Sequence, residues 1–190
     1  MTDGSVARDG RVFIVDVARC TGCFACSVAC KDRADLPDAL DWLRVEANED
    51  GAYPSVSLAF RVVHCFHCLD PVCAAPCPTG AISPNADGWI VIDDALCIGC
   101  GACAAHCPFG AIVLDEDRHA TKCDACQDEL ARGWDPTCVR ACPMRALYLA
   151  EPSALTRARR PDPNWNDHGI GPRVFHAVRT AQAPGDQTDG

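Results

Sequence analysis

Residues 65–108 read CFHCLDPVCAAPCPTGAISPNADGWIVIDDALCIGCGACAAHCP and contain two cysteine quartets. The first is C-x2-C-x4-C-x3-C-P (Cys65, Cys68, Cys73, Cys77, Pro78) and the second C-x2-C-x2-C-x3-C-P (Cys97, Cys100, Cys103, Cys107, Pro108). The second spacing is the one that binds a 4Fe-4S cluster in bacterial ferredoxins. Its logic is local: three thiolates on one tight loop reach three irons of a cube, while the fourth is expected to start a helix that leaves the cube. In two-cluster ferredoxins that fourth cysteine ligates the other cluster of the pair. The spacing therefore assigns Cys65, Cys68, Cys73 and Cys107 to one cluster, C, and Cys77, Cys97, Cys100 and Cys103 to a second, D. Two cubes so held cross-link the halves of the segment.

Outward from this segment, all sixteen cysteines fall into quartets, the outer two being Cys20, Cys23, Cys26, Cys30 and Cys123, Cys126, Cys138, Cys142. Two other chemistries pair cysteines. Disulfide scaffolds belong to small secreted domains, whereas this chain has 190 residues. A zinc site completes one tetrahedron with two CxxC arms and leaves a third cysteine, three residues after the second, without a role. Iron-sulfur chemistry uses every cysteine. The 48% hydrophobic content includes those cysteines, and Leu, Ile, Val and Phe are sparse, so metal is expected to supply cohesion that the core lacks. A net charge of -9 offers no basic face for phosphates, which excludes nucleic acid as a partner. No apolar run approaches the roughly 18 residues of a membrane span. The opening MTDGSVARDGRVF has no basic n-region, apolar h-region or twin-arginine pair, so the chain is expected to carry no span or export signal of its own.

Taken in order, residues 1–10 are polar and are expected to be mobile or held by a partner. Residues 11–17 (RVFIVDV) are branched and aromatic and predict a strand leading into the first quartet. That quartet carries Lys31 where the others carry proline, so a helix is expected to continue through residues 31–36 until Pro37 stops it. An insertion at 38–61 holds a loop (ANEDGAYP) and the start of a strand (SVSLAFRVV). A further strand is expected at 111–114 (AIVL). The fourth quartet is stretched by QDELARGWDPT between Cys126 and Cys138, read as a short helix and a turn, before the closing strand RALYLA. PTGAI, PFGAI and PMRAL after Cys77, Cys107 and Cys142 mark a repeated unit of cysteine loop, short helix and strand. The fold expected is α+β, two nested bacterial-ferredoxin-like modules. Residues 65–110 form the inner module on quartets two and three; residues 11–64 and 111–150 form the outer one on quartets one and four. Exchange of fourth cysteines then assigns Cys20, Cys23, Cys26 and Cys142 to cluster A, and Cys30, Cys123, Cys126 and Cys138 to cluster B. Residues 151–190 hold five prolines and no cysteine, and are expected to be an extended tail, partner-binding or disordered.

RCTGCFACSVACKD, HCFHCLDPVCAAPCPTGAI, DDALCIGCGACAAHCPFGAI and HATKCDACQDELARG followed by CVRACPMRAL together resemble the iron-sulfur subunit of the dimethyl sulfoxide reductase family of molybdenum enzymes, over residues 11–150. The resemblance implies four 4Fe-4S clusters in a wire, beside a large molybdopterin-containing catalytic subunit and often a third, membrane-anchor subunit. In the similar subunit of respiratory nitrate reductase a tryptophan replaces one ligand of the third quartet; here that quartet is complete, which implies four clusters of the 4Fe type. Assembly in the cytoplasm is implied, with the folded subunit either remaining there or exported on a partner's signal. The alternative use of the same quartets is a freestanding polyferredoxin, or the electron-input subunit of a hydrogenase or formate-hydrogen complex. No phosphate loop, GxGxxG or nucleophile triad accompanies them, so this chain is expected to carry electrons and leave catalysis to a partner. Lys31, Lys122, Arg140 and Arg145 are read either as tuners of cluster potential or as plain surface charges. His64, His67 and His106 are read as hydrogen-bonding or packing groups, and Phe66 and Trp134 as packing or interface.

Overall fold

The computed structural model describes residues 10–154, 159–162 and 165–179. Residues 1–9 and parts of the expected tail lie outside the described residues. The strand expected at 11–17 is β1 (Val12–Asp16), and all five of its residues are buried because it is covered on both faces. Val12 and Ile14 pack with Ala177 on one side, while Phe13 and Val15 enter the main core on the other. Each such side chain withdrawn from water is worth roughly 1.5–3 kcal/mol.

The neighbours of β1 hold the first correction. On one side lies β8 (Leu147–Ala150), antiparallel, as the closing strand RALYLA suggests. On the other lies β10 (Val174–Arg179), parallel, with β9 (Arg159–Pro161) beyond it, giving the order β8-β1-β10-β9. The C-terminal segment is therefore not simply an extended tail: VFHAVR has the branched and aromatic content of a strand, and it is inserted between β1 and β9. Parallel neighbours need a crossover connection, and here the crossover is the whole cysteine-bearing segment.

A second sheet pairs β2 (Arg44–Asp50) with β3 (Ser57–Val63) in an antiparallel hairpin. The ANED of the expected loop lies in β2, because pairing along the full length of β3 compensates for its weak strand propensity. Two small hairpins, β4 (Ile82–Pro84) with β5 (Ile90–Ile92) and β6 (Val113–Leu114) with β7 (Ala120–Thr121), frame a satellite core of Ile82, Ile90, Ile112 and Ala120 around Cys103. The strand expected at 111–114 shortens to β6.

The helices are α1 (Ala25–Arg33), α2 (Ala102–His106), α3 (Gln127–Ala131) and α4 (Thr137–Ala141). Helices α2 and α4 end just before the fourth cysteine of their quartets rather than starting there. The reason is the proline that follows: it disfavours helical backbone at the preceding residue, and Cys107 and Cys142 are extended with ψ 110 and 108. Lys31 imposes no such stop, so α1 runs through Cys30 and packs on α4. It ends at Arg33 rather than near Pro37, with Asp35 in the left-handed region at φ 48.

Candidate metal centres

The loops between the first two cysteines share one backbone feature. The residue just before the second cysteine has positive φ in every quartet: Gly22 at 65, His67 at 45, Gly99 at 67 and Ala125 at 59. A left-handed residue within such a turn points successive backbone N–H groups into one concavity, an arrangement that suits an anion or an iron-sulfur centre. A second repeated feature follows the fourth cysteine, where Gly80, Gly110 and Arg145 also have positive φ. The next N–H then turns back to sulfur: Ala111 donates to Cys107 Sγ at 3.4 Å and Ala146 to Cys142 Sγ at 3.3 Å.

These loops gather the thiols four by four. Cys20, Cys23, Cys26 and Cys142 line one cavity, walled by Val45, Val62 and Leu147. Cys65, Cys68, Cys73 and Cys107 line a second, closed by Phe66, Ile90 and Ile170. Cys77, Cys97, Cys100 and Cys103 line a third, against Ile82, Ile92 and Ala120. The three spaces are alike in lining, each setting four thiols against apolar side chains. Cys30, Cys123, Cys126 and Cys138 are all buried; Cys123 feels the charge of Cys30 and Cys138, and Cys138 that of Cys126 and Cys30. The last group borders two others, since Cys123 also feels Cys65 and Cys138 feels Cys26. One turn of α2 separates Cys103 of the third cavity from Cys107 of the second.

The donor set fits iron-sulfur clusters. Among the described residues no three His, Cys, Asp or Glu side chains converge as ligands of a single ion would. Four thiols spread around a cavity suit a polynuclear guest, one thiol to each iron. Burial, reinforced by neighbouring thiols, pushes Cys26, Cys68 and Cys73 up to about 12, and burial likewise takes Cys126 to about 12 and Cys30 to about 11. Without metal these groups hold their protons at neutral pH, so loading must release them.

Among the basic residues singled out from sequence, Lys31 pairs with Asp41 at 3.1 Å and donates to the Asp38 carbonyl at 2.8 Å. Arg140 pairs with Glu129, and Arg145 reaches the Arg140 carbonyl at 3.5 Å. Lys122 differs, being only 5% exposed, with Nζ donating to the carbonyls of Ile90 and Cys123. Burial pushes His64 down to about 4 and His67 well below the ordinary histidine value, so both are neutral, while His106 is exposed and bonded to the Ala102 carbonyl. Phe66 is buried and stacked on Phe109 at 4.0 Å and Trp165 at 5.5 Å; Trp134 lies exposed beside Arg132 and Arg140. Sequence reading missed Arg33, which grips Asp124 through two 3.0 Å bonds and also Asp128, stapling the first quartet to the fourth. It also missed Ile170, on the cavity wall. Exposed thiols occur only in two of the four groups, at Cys23 beside Phe24 and Val28 and at Cys100 beside Ile98.

Comparison with known proteins agrees with this geometry. Residues 56–152 match the 4Fe-4S dicluster domain family. The protein is 41% identical over 144 residues to the B subunit of the anaerobic dimethyl sulfoxide reductase of Escherichia coli (strain K12), covering 71% of this sequence and 70% of that one. It is 39% identical over 140 residues to the thiosulfate reductase electron transfer subunit PhsB of Salmonella typhi, covering 72% and 73%. The iron-sulfur subunit of the nitrate-inducible formate dehydrogenase of Escherichia coli (strain K12) is 35% identical over 170 residues, covering 78% and 58%.

Proposed function

This protein belongs to the 4Fe-4S dicluster family of molybdoenzyme iron-sulfur subunits, and on that premise we propose that it relays electrons to or from a large molybdopterin-containing catalytic subunit through four 4Fe-4S clusters. The observation that carries this reading is the gathering of sixteen thiols into four groups of four, three of them around apolar-walled cavities and the fourth buried. Bound there, the clusters supply one-electron storage and transfer. Cys20, Cys23, Cys26 and Cys142 would hold A; Cys30, Cys123, Cys126 and Cys138, B; Cys65, Cys68, Cys73 and Cys107, C; Cys77, Cys97, Cys100 and Cys103, D. The nested modules would follow from this pairing, residues 65–110 holding C and D, and quartets one and four holding A and B.

The adjacencies of the thiol groups support a row A-B-C-D, with exposed thiols at the ends. Cys23 and Cys100 would bring electrons to the surface, and the apolar side chains beside them would seat partners there. One end would face the catalytic subunit. The other would face the second redox partner, a membrane-anchor subunit where one exists. Among the described residues no helix is long and apolar enough to cross a membrane. Assembly in the cytoplasm is the compartment this reading requires, since the thiols must be loaded before either end is covered.

Anaerobic purification followed by iron and sulfide analysis tests the reading. Four clusters require four irons and four sulfides for each of four thiol groups. Half that content, or stoichiometric zinc, would overturn it. Co-purification with a molybdenum-containing subunit separates it from a freestanding polyferredoxin.

A further inference from the structure

Lys122 is a buried cation that forms no ion pair with a carboxylate among the described residues. Its side chain is 5% exposed, and its Nζ donates only to backbone carbonyls, those of Ile90 and, at 3.0 Å, Cys123. Among the described residues no carboxylate pairs with it, although Lys31, Arg33, Arg61 and Arg140 all have carboxylate partners. A buried ammonium is costly unless an opposite charge lies within reach. Its hydrogen bonds show where that charge belongs. Ile90, whose carbonyl receives the ammonium proton, lines the cavity of Cys65, Cys68, Cys73 and Cys107.

We propose that Lys122 is the built-in counter-charge of the cluster held by Cys65, Cys68, Cys73 and Cys107, and that it sets that cluster's reduction potential above the value the same four thiolates would give without it. The inference rests on the reading that this cavity holds a 4Fe-4S cluster. Four thiolates and four sulfides outweigh the charge of the irons, so the assembly is an anion, and one electron arriving from an adjacent reduced cluster makes it more negative by one. No proton or bond changes place in this step. Lys122 keeps its two carbonyl bonds, and its fixed charge favours the reduced form over the oxidised one. The residue thus acts as a potential-setting group within an inner site of the row, where surface charge is screened and a buried one is not. Lys31, Arg140 and Arg145, already paired or facing solvent, have no such leverage.

The test is an EPR-monitored redox titration of the full chain, unaltered and as Lys122→Gln, which keeps amide donors for the two carbonyls and removes the charge. One cluster should become harder to reduce, its reduction constant falling about tenfold or more, which for one electron is about 59 mV. The midpoints of A and D should hold, that of B should move less, and Lys122→Arg should restore the first. Unchanged midpoints in Lys122→Gln at full iron content would overturn the proposal. Should Lys122→Gln instead lose one cluster's iron, Lys122→Arg decides. Four clusters retained support a role for the charge in holding the anion; the same loss in Lys122→Arg overturns it. Iron and sulfide analysis of the unaltered chain separates the failures, because fewer than four clusters there sinks the four-cluster reading itself.

Discussion

Each CxxC turn needs one residue in the left-handed region, and the four quartets meet that need unequally. Gly22 and Gly99 adopt it without a steric cost, whereas Ala125 and His67 carry a side chain there, at a cost of roughly 1–2 kcal/mol each. Both of the latter are buried, so packing around Ala125 and His67 offsets the strain. Gly99 is constrained twice, because a Cβ at that position would stand 2.9 Å from the Arg118 carbonyl oxygen, a backbone atom that cannot swing aside. Gly133 has a similar φ of 77 but open space around it. Gly99→Ala is therefore expected to cost about 2–3 kcal/mol, conformational strain plus displacement of the Arg118 carbonyl, against about 1 kcal/mol for Gly133→Ala. Apparent melting temperatures of the two anaerobic proteins measure the difference. A drop for Gly133→Ala as large as for Gly99→Ala would mean that the carbonyl contact contributes nothing.

At the scale of elements, the C-terminal strand decides how the molecule is closed. Arg173 N–H donates to the Phe66 carbonyl at 2.8 Å, Leu69 N–H to Gly171 at 2.9 Å and Asp70 N–H to Ile170 at 3.2 Å, tying the segment before β10 to the second cysteine loop. His176 then bonds the Val62 carbonyl at 3.0 Å and packs on Trp165, so β10 joins the hairpin, the sheet and the aromatic stack over Phe66. A chain ending after Asp162 should lose more than a partner contact. It would leave β1 as an edge with Val12, Phe13 and Ile14 uncovered, and Ile170 missing from a cavity wall. The expected outcome is little soluble protein and, in what remains, loss of the Cys65, Cys68, Cys73 and Cys107 cluster; full iron content in a stable truncated chain would show β10 to be dispensable. Cysteine spacing made the repeated loops legible in the sequence, because thiol positions relative to proline are local facts. The partner of β1 was not legible: VFHAVR lies some distance from any cysteine, amid prolines, and pairs with residues at the opposite end of the described chain. Lys122 was no more legible, since its burial comes from β5 and the second loop, and TKC looks no different from the solvated CKD at Lys31.

On the scale of the whole molecule, a small sheet holds both ends of the described chain while the cysteine loops occupy everything between them. The interior is ordered by the clasp of β1, β8 and β10, and the proposed clusters would cross-link its distant loops. Helices α1 and α4 meet beside two of those groups, and Arg33 fixes that junction with bonds to Asp124 and Asp128. Exposure falls at the two ends of the proposed row: Cys23 beside Phe24, with Val28 one turn further on in α1, which are 52% and 67% exposed, and Cys100 near Ile98, 64% exposed. Apolar side chains beside an accessible thiol suit a partner that excludes water where an electron crosses, and one subunit with two such places suits two partners. A carboxylate at either place would have to be desolvated on docking, and a substitution so exposed should leave folding within about 0.5 kcal/mol of the original. Val28→Asp and Ile98→Asp are therefore expected to retain iron content and reduction by a small dye, while each weakens association with one partner about tenfold or more, or about 1.4 kcal/mol. The catalytic subunit should respond to one substitution and the second redox partner to the other, read by co-purification and by electron transfer between the isolated proteins. If both substitutions impaired the same partner equally, or neither impaired any, the row would not run from one docking surface to the other.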